Sequence, residues 1–250
     1  MTKSDKKIQL NIHGSLNDFI NNASMEPSRL TISFELSPSA KDLIESKGIP
    51  HTAIFKLLVN NHSKTLEYNV TADDEIDIFP LEMAGDENID PIFTHPSSFI
   101  ADGHLSKLGR DLRLLGLDTL IAEKYDEKEI IHVSNKAKRM ILTRNLSLLQ
   151  HGSTQYGYWV RNEDPDKQLE EILSRFDLSK SIQPFSRCMS CNGRLVETTL
   201  KEVHNDVPPK VREWCDRFHK CNSCGKVYWK GSHYDKLKEK VDRLVEKIES

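Results

Sequence analysis

Long apolar runs are absent from this sequence. No stretch approaches the roughly 20 consecutive apolar residues that a helix needs to cross a bilayer, which argues against a membrane protein. The first residues, Met1–Lys7, are polar and lead into no signal-peptide core. The cytoplasm is therefore the expected location, and no membrane partner is expected.

Cysteine is scarce: the chain has five, all of them between Cys188 and Cys224. Disulfide scaffolds spread even numbers of cysteines through short secreted chains, so this arrangement argues against one. Clustering favours a metal site instead. Cys215, beside Trp214, is expected to be a packed apolar residue rather than a fifth ligand.

The other four cysteines form two Cys-x-x-Cys pairs, Cys188 with Cys191 and Cys221 with Cys224. Each pair can turn two thiolates towards one ion, and the glycine that follows permits the tight turn. Four sulfur ligands fill a tetrahedral shell and leave no open position, so the sequence predicts a structural Zn²⁺. The alternative is two unrelated redox or free-thiol pairs.

Neither apolar nor charged content is extreme, at 37% and 29%, as in ordinary globular domains. The net charge of −3 is unevenly divided, however. Residues 1–92 hold 8 Lys and Arg against 15 Asp and Glu, a charge of −7, and residues 93–250 hold 27 against 23, a charge of +4. This asymmetry predicts separate domains, and the basic part is compatible with a phosphate-bearing partner.

Residues 1–83 carry the pattern of a small α+β module. Apolar alternation predicts strands at residues 8–12 and 30–36, a capped helix at 39–48, and further strands at 53–60 and 75–80. This order resembles the β-grasp, ubiquitin-like fold, in particular its sulfur-carrier branch. That branch works through a free C-terminal Gly-Gly, and this chain runs on, so a carrier role is not expected.

An acidic stretch, residues 84–96, is the predicted linker. Beyond it, residues 97–183 alternate between strands at 99–102, 118–122, 139–143 and 157–161 and helices at 105–115, 127–138, 146–150 and 168–176. The alternation predicts an α/β domain with a parallel sheet covered by helices on both faces. The cysteine pairs place a zinc ribbon at residues 184–234, and an amphipathic helix is predicted over 235–250.

Polar residues follow three of the predicted strands: Asp102, Asp126 and the run Thr143-Arg144-Asn145. Ligands of parallel sheets bind beyond the carboxyl ends of the strands, so these residues are candidates for one crevice. Carboxylates gathered there would hold Mg²⁺ or Mn²⁺ for phosphodiester hydrolysis. The alternatives are structural, since Asp126 with Glu129 also forms a capping box and Asp102 is also a possible helix cap.

Cations accompany these acids. A step of 100° per residue places Lys107, Arg110 and Arg113 across the arc opposite the leucine stripe of their helix. With Arg144 they are candidates for phosphate binding, although a solvated face is the ordinary explanation. The ribbon's aromatic residues, Tyr228 among them, are candidates for stacking on nucleic-acid bases or for the ribbon's own core.

Several motifs occur in a fixed order: Phe99-Ile100-Ala101-Asp102-Gly103-His104, Ile141-Leu142-Thr143-Arg144-Asn145, and the two cysteine pairs ending in Tyr228-Trp229-Lys230-Gly231. Together they resemble the mutator-seven C-terminal RNase domain family, a PIN-like nuclease domain fused to a zinc ribbon, some members of which carry a ubiquitin-like module. The resemblance implies that Asp102, Asp126 and position 145 bind the catalytic metal. The family motif ends Thr-Arg-Asp, whereas this chain has Asn145, and Asp111 stands where an aromatic residue is usual.

The leading hypothesis is therefore a metal-dependent ribonuclease in which Asp102 and Asp126 bind Mg²⁺ or Mn²⁺ and Asn145 completes the shell. Because an amide oxygen is a poorer ligand for a hard cation, the rival hypothesis is an RNA-binding or adaptor protein with weakened or lost chemistry. A third hypothesis is an interaction scaffold that binds a protein partner through the β-grasp module.

Overall fold

The computed structural model describes residues 6–20, 28–83 and 93–249. The chain divides into two compact units. One comprises residues 1–90 together with 145–159, and the other comprises 91–144 with 160–250. Residues 84–92 of the predicted linker lie outside the described residues. None of the described helices is long and apolar enough to cross a membrane.

The first unit is built on a five-stranded mixed sheet with the order β2-β1-β5-β3-β4. β1 pairs antiparallel with β2 and parallel with β5, and β3 pairs antiparallel with β5 and β4. Its elements are β1 Lys6–Ile12, β2 Ser28–Phe34, α1 Ala40–Glu45, β3 Lys56–Val59, β4 His62–Ser63 and β5 Glu75–Phe79. This confirms the predicted β-grasp module, to which the structure adds the short strand β4.

Apolar alternation accounts for the core of this module. Leu10 and Ile12 on β1, and Ile76 and Ile78 on β5, are fully buried side by side on one face of the sheet. Ser39 begins α1, because its hydroxyl oxygen accepts a hydrogen bond from the Asp42 backbone N–H at 3.0 Å. Local capping and period-2 burial are both visible in the sequence, which is why this module is predictable.

The α/β domain has a four-stranded sheet with the order β7-β6-β8-β9. β6 pairs parallel with β7 and with β8, and Phe99, Ile100 and Ala101 of β6 are fully buried. The elements are β6 Ser98–Asp102, α2 Ser106–Leu114, β7 Asp118–Ala122, α3 Glu127–Ala137, β8 Met140–Thr143, α4 Leu146–Gln150, β9 Gly157–Trp159 and α5 Pro165–Arg175. The predicted α/β class is confirmed. The last helix begins three residues earlier than predicted, because Asp164 caps it and Pro165 occupies its first position.

The cysteine-bearing region is a three-stranded antiparallel sheet, with β10 Leu195–Thr198, β11 Phe218–Cys221 and β12 Val227–Trp229. Two short helices, α6 Leu200–Val203 and α7 Pro209–Arg212, lie between β10 and β11. Buried Cys215 packs in their small core with Phe218, as predicted for a cysteine that is not a ligand. The final helix, α8, spans Ser232–Glu249.

Candidate metal centre and nuclease site

The sulfur atoms of Cys188, Cys191, Cys221 and Cys224 all lie within 4.8 Å of one another. Cys188 Sγ is 3.7 Å from Cys224 Sγ, and Cys191 Sγ is 3.4 Å from Cys221 Sγ. A tetrahedral zinc ion with Zn–S bonds of about 2.3 Å separates its sulfurs by about 3.8 Å. The cluster therefore has the donor set and the dimensions of a closed, four-thiolate zinc site.

The two turns of the cluster use the left-handed conformation differently from the prediction. Gly225 has φ 73°, as expected for a glycine after the second cysteine. In the first turn the left-handed residue is Asn192, with φ 72°, and not Gly193. Gly193 is needed for space instead, because a Cβ there would lie 2.5 Å from Ser223 Oγ and 2.8 Å from Cys221 Sγ.

Cys188 is prepared to act as a thiolate. Burial raises its pKa, but hydrogen bonds from the Tyr228 hydroxyl, 3.0 Å from Sγ, and from the backbone N–H groups of Cys191 and Ser190 outweigh burial and lower the pKa to about 6. Metal binding requires deprotonated thiols, so these bonds favour the ligand form. Tyr228 therefore has a role inside the ribbon, and Trp229 packs against the ribbon core, as the alternative to RNA stacking predicts.

The first cysteine turn is attached to strand β7 by a polar network that sequence reasoning missed. Asn192 accepts from the Thr119 N–H at 3.1 Å and donates to Asp118 Oδ1 at 2.8 Å. Asp118 also forms ion pairs with Arg139 at 2.7 Å and Arg187 at 3.2 Å. Burial raises the Asp118 pKa, but these hydrogen bonds and charges hold it below its ordinary value.

Arg113 belongs to the same attachment, so its predicted place on an exposed cationic arc is wrong. Its side chain is buried, with Nε donating to Thr119 O at 2.8 Å and Nη1 donating to Met189 O and Ser190 O at 3.0 Å each. A buried guanidinium needs such acceptors. Its charge also lies near the thiols of Cys191 and Cys188, where it offsets the negative charge of a four-thiolate site.

Asp102 ends β6 and does not act as a helix cap. Its side chain makes no capping hydrogen bond to the 3₁₀ turn that follows, Gly103–Leu105, all of which the structure describes. Thr143 Oγ1, at the end of β8, donates to Asp102 Oδ2 at 2.8 Å instead. Because Thr143 is fully buried, this bond orients the carboxylate at the carboxyl edge of the strands.

Asp126 is a helix cap. Its side chain accepts from the Glu129 backbone N–H at 2.8 Å, and Glu129 accepts in return from the Asp126 N–H at 3.0 Å. This is the capping box that the sequence allowed as the alternative to metal binding. Both roles use the carboxylate, and the described contacts supply only the structural one.

Asn145 caps α4. Its Oδ1 accepts from the Ser147 N–H at 3.0 Å and from Ser147 Oγ at 2.8 Å.

Over residues 6–20, 28–83 and 93–249, the four cysteines are the one group of three or more His, Cys, Asp or Glu side chains close enough to share a metal ion. Asp102 and Asp126 therefore do not gather with a third acid there.

A second acid at the edge occupied by Asp102 was missed. The register of β6 against β7 pairs Asp102 with Ala122, so Glu123 follows at the same edge. A Cβ on Gly103 would lie 3.4 Å from Glu123 Cα, which shows how close the two chains run. The sequence does show an acid, Glu123, directly after the predicted strand 118–122. Its position beside Asp102 follows only from the register of the two strands.

Three of the four predicted phosphate-binding cations are exposed, namely Lys107, Arg110 and Arg144. Lys107 and Arg110 stand on the open side of α2, and Arg110 Nη2 lies 3.5 Å from Glu123 Oε1. Both members of that pair are about half exposed, so the pair is weak. Arg144 instead donates to the Arg161 and Asn162 carbonyl oxygens and pairs with Glu163.

Asp111, which stands where the resemblance leads one to expect an aromatic residue, is paired with a lysine of the final helix. Lys240 on α8 donates to Asp111 Oδ2 at 2.8 Å and to Asp166 Oδ1 at 2.9 Å. Asp111 is 7% exposed, and a carboxylate so buried requires a paired charge. This position therefore holds the final helix against α2 by an ion pair.

Fold and site together define a β-grasp module joined in one chain to an α/β nuclease-type domain with a four-cysteine ribbon. The chain belongs to the Mut7-C RNAse domain family, which matches residues 97–241. Residues 5–86 match the Mut7-C ubiquitin family. The predicted family is thereby confirmed, and membership of an RNase family implies a nucleic-acid substrate.

Among solved structures, the crystal structure of SAMP1 from Haloferax volcanii is similar to part of the chain. The match covers 32% of this chain and 99% of that one, with 14% sequence identity and a TM-score of 0.24. No curated protein matches the chain.

Proposed function

We propose that the protein is a metal-dependent ribonuclease that hydrolyses RNA phosphodiester bonds at the carboxyl edge of the α/β sheet. The observation that carries the proposal is Asp102, a carboxylate at the end of a buried strand that is oriented by Thr143 and not engaged in capping. A carboxylate held this way is available to a hard cation. Family membership supplies the substrate class.

In this proposal Asp102 is the central metal ligand and Glu123 is a second acid at the same edge. Asp126 and Asn145 contribute only by leaving their caps or by sharing an oxygen with the cation. Bound Mg²⁺ or Mn²⁺ would activate a water and neutralise charge on the phosphate. The four-thiolate cluster would hold a structural zinc ion with no part in the chemistry.

Lys107 and Arg110 supply the phosphate contacts in this proposal. Both are exposed and lie on the helix that follows Asp102, so they extend cationic charge from the strand edge. Arg113 is excluded from this role by its burial. Arg144 contributes only if RNA displaces its carbonyl and Glu163 contacts.

A second function, RNA binding without cleavage, is favoured by one observation. Asn145 stands where the resemblance implies an acid, and its amide oxygen is already used by Ser147. Loss of one anionic ligand weakens both metal affinity and stabilisation of transition-state charge. The nuclease is therefore expected to be weak.

The test is cleavage of labelled single-stranded RNA by the full chain with Mg²⁺, with Mn²⁺ and with chelator, with zinc content measured in every sample. Asp102→Asn should abolish metal-dependent cleavage while leaving the melting temperature and zinc content unchanged. Asp177→Asn, the same substitution on an exposed aspartate after α5, is the matched control. Cleavage that survives Asp102→Asn would end the proposal, and RNA binding with no cleavage under any condition would favour the second function.

A further inference from the structure

We propose that the β-grasp module holds residues 145–159 in place, with His51 as the positioning residue. These residues, here called the α4 segment, comprise α4, the following loop and β9. They belong by sequence to the α/β domain, yet they form one compact unit with residues 1–90. The module would then fix the position of α4, the helix that Asn145 caps.

His51 makes the central contact. Its Nε2 lies 2.9 Å from the Thr154 carbonyl oxygen, and its Nδ1 lies 2.6 Å from Glu45 Oε1 at the end of α1. A carbonyl oxygen only accepts, so Nε2 is the donor. The Glu45 carboxylate fixes the ring through its other nitrogen, as second partners of functional histidines do. The side chains of His51 and Glu45 are 12% and 17% exposed, so water competes weakly for these bonds.

Thr154 is a rigid point of attachment. It is 1% exposed, its N–H donates to His151 O at 2.8 Å, and its hydroxyl donates to Leu148 O at 2.7 Å. Thr154 is therefore hydrogen-bonded to α4 at Leu148 and to the residue that ends the helix, His151. The loop cannot shift alone without breaking these bonds.

Two further contacts flank the histidine. Gln150 Nε2, at the end of α4, donates to the Glu45 carbonyl oxygen at 3.4 Å. The rings of Phe19 and Trp159 lie 4.8 Å apart, so the module also touches the segment at β9. The module therefore contacts the end of α4, the loop after it and the last residue of β9.

The consequence for chemistry rests on the proposed function. Asn145 is the first residue of the α4 segment and caps α4 through Ser147. Whatever orients α4 therefore orients the Asn145 side chain. His51 would influence the orientation of the Asn145 side chain without touching it, through Thr154 and α4.

Hydrogen–deuterium exchange of the full chain tests the proposal directly. His51→Ala should speed exchange of peptides from residues 146–158 about tenfold, because it removes the part-buried hydrogen bond to Thr154 that closes the segment. Peptides from α2 and β7 should be unchanged.

His13→Ala is the matched control. His13 pairs with Asp77 at 2.8 Å in the same module, with side chains 17% and 18% exposed, but its partner is not in the α4 segment. This variant should leave exchange of residues 146–158 unchanged. Equal exchange of the α4 segment in wild type and His51→Ala, or equal acceleration by both variants, would overturn the proposal.

RNA cleavage adds a second readout. His51→Ala should lower kcat with KM for RNA unchanged, because phosphate contacts from Lys107 and Arg110 do not depend on α4. If wild type cleaves no RNA, only the proposed nuclease function fails, and the exchange result alone decides whether the module holds the α4 segment. Faster exchange with unchanged kcat in an active enzyme would show that the contact is merely structural and would overturn the positioning role.

Discussion

Asn192 accepts a hydrogen bond from the Thr119 backbone N–H at 3.1 Å, which attaches the first cysteine turn to the outermost strand of the α/β sheet. Thr119 is 0% exposed, so its N–H has no access to water and depends on this partner. The left-handed backbone of Asn192 turns the side chain towards the strand. Asn192 therefore couples the first cysteine turn to the sheet, alongside the contacts of Arg113 and Arg187.

Asn192→Gly tests this coupling without backbone strain, because glycine accepts the left-handed conformation. The Thr119 N–H would be left buried and unpaired, which costs roughly 1–3 kcal/mol. We expect the free energy of unfolding in urea to fall by about that amount with zinc still bound. Asn222→Gly, at an exposed position in the second turn, should change it much less, and equal losses in both variants would contradict the assignment.

Cys191→Ser should remove the zinc ion and unfold the ribbon, since structural zinc sites contribute about 10–16 kcal/mol in small zinc domains. Elemental analysis should give about one zinc per wild-type chain and none in the variant. Cys215→Ser is the control, because Cys215 packs in the ribbon core apart from the cluster and should keep full zinc. Wild-type protein without zinc, purified in the absence of chelator, would refute the metal assignment.

Arg110 and Arg113 should respond oppositely, although both lie on α2. Arg110→Glu should weaken RNA binding and reduce its salt dependence by about 0.7 per lost phosphate contact on single-stranded RNA, with the melting temperature unchanged. Arg113→Lys should lower the melting temperature, since a lysine cannot reach the carbonyl oxygens of Thr119, Met189 and Ser190 together. Unchanged RNA affinity in Arg110→Glu would mean that the exposed face is only solvated.

The helix around Arg113 shows where sequence reasoning stops. Its leucine stripe is visible in the local period, and β7 was predicted with the bounds observed, Asp118–Ala122. The carbonyl oxygens that bury Arg113 come from Met189 and Ser190, more than 75 residues further along. A helical wheel assigns any cation opposite the leucines to solvent, because it contains no information about a second surface. The contact between His51 and Thr154, 103 residues apart, was unpredictable for the same reason.

Capping was harder to assign than secondary structure. Asp102, Asp126 and Asn145 all precede helical turns, and the sequence cannot distinguish a carboxylate that caps from one that is free to bind metal. Hydrogen bonding separates them, because Asp126 and Asn145 accept from backbone N–H groups whereas Asp102 accepts from Thr143. The distinction depends on a side chain 41 residues away.

Asn145→Asp should raise metal-dependent RNA cleavage. Aspartate caps a helix as well as asparagine does, so the variant adds an anionic ligand while α4 keeps its cap. We expect a rise of about tenfold or more in kcat with Mn²⁺, the size of effect that metal-site partners commonly produce. No gain in cleavage by Asn145→Asp would favour the RNA-binding function. Asp126→Asn also keeps its helix cap, so a loss of cleavage in that variant would show that Asp126 binds the metal as well as capping its helix.

Acid should loosen the attachment of the ribbon through Asp118. The folded-state pKa of Asp118 is held below its unfolded value of about 3.9, so its stabilisation is fully present above that pH and is lost as the pH falls through the folded pKa. We expect Asp118→Asn to lower the free energy of unfolding at pH 7 and to flatten its decline below about pH 4. If the free energy of unfolding of Asp118→Asn declines below about pH 4 as steeply as that of wild type, Arg139 and Arg187 do not stabilise the ionised form of Asp118.

The outer edge of β7 is covered by the first cysteine turn, and without that cover it would be prone to aggregation. In a sheet of order β7-β6-β8-β9 this strand has a neighbour on one side, and on its other side Thr119 is covered by Asn192 and Arg113. If oxidation of the thiols expelled the metal, the turn would lose its shape and the backbone N–H and C=O groups of this strand edge would face solvent. An uncovered edge is a template for pairing with another chain, so oxidative damage to this protein should produce aggregates before it produces a soluble, inactive monomer.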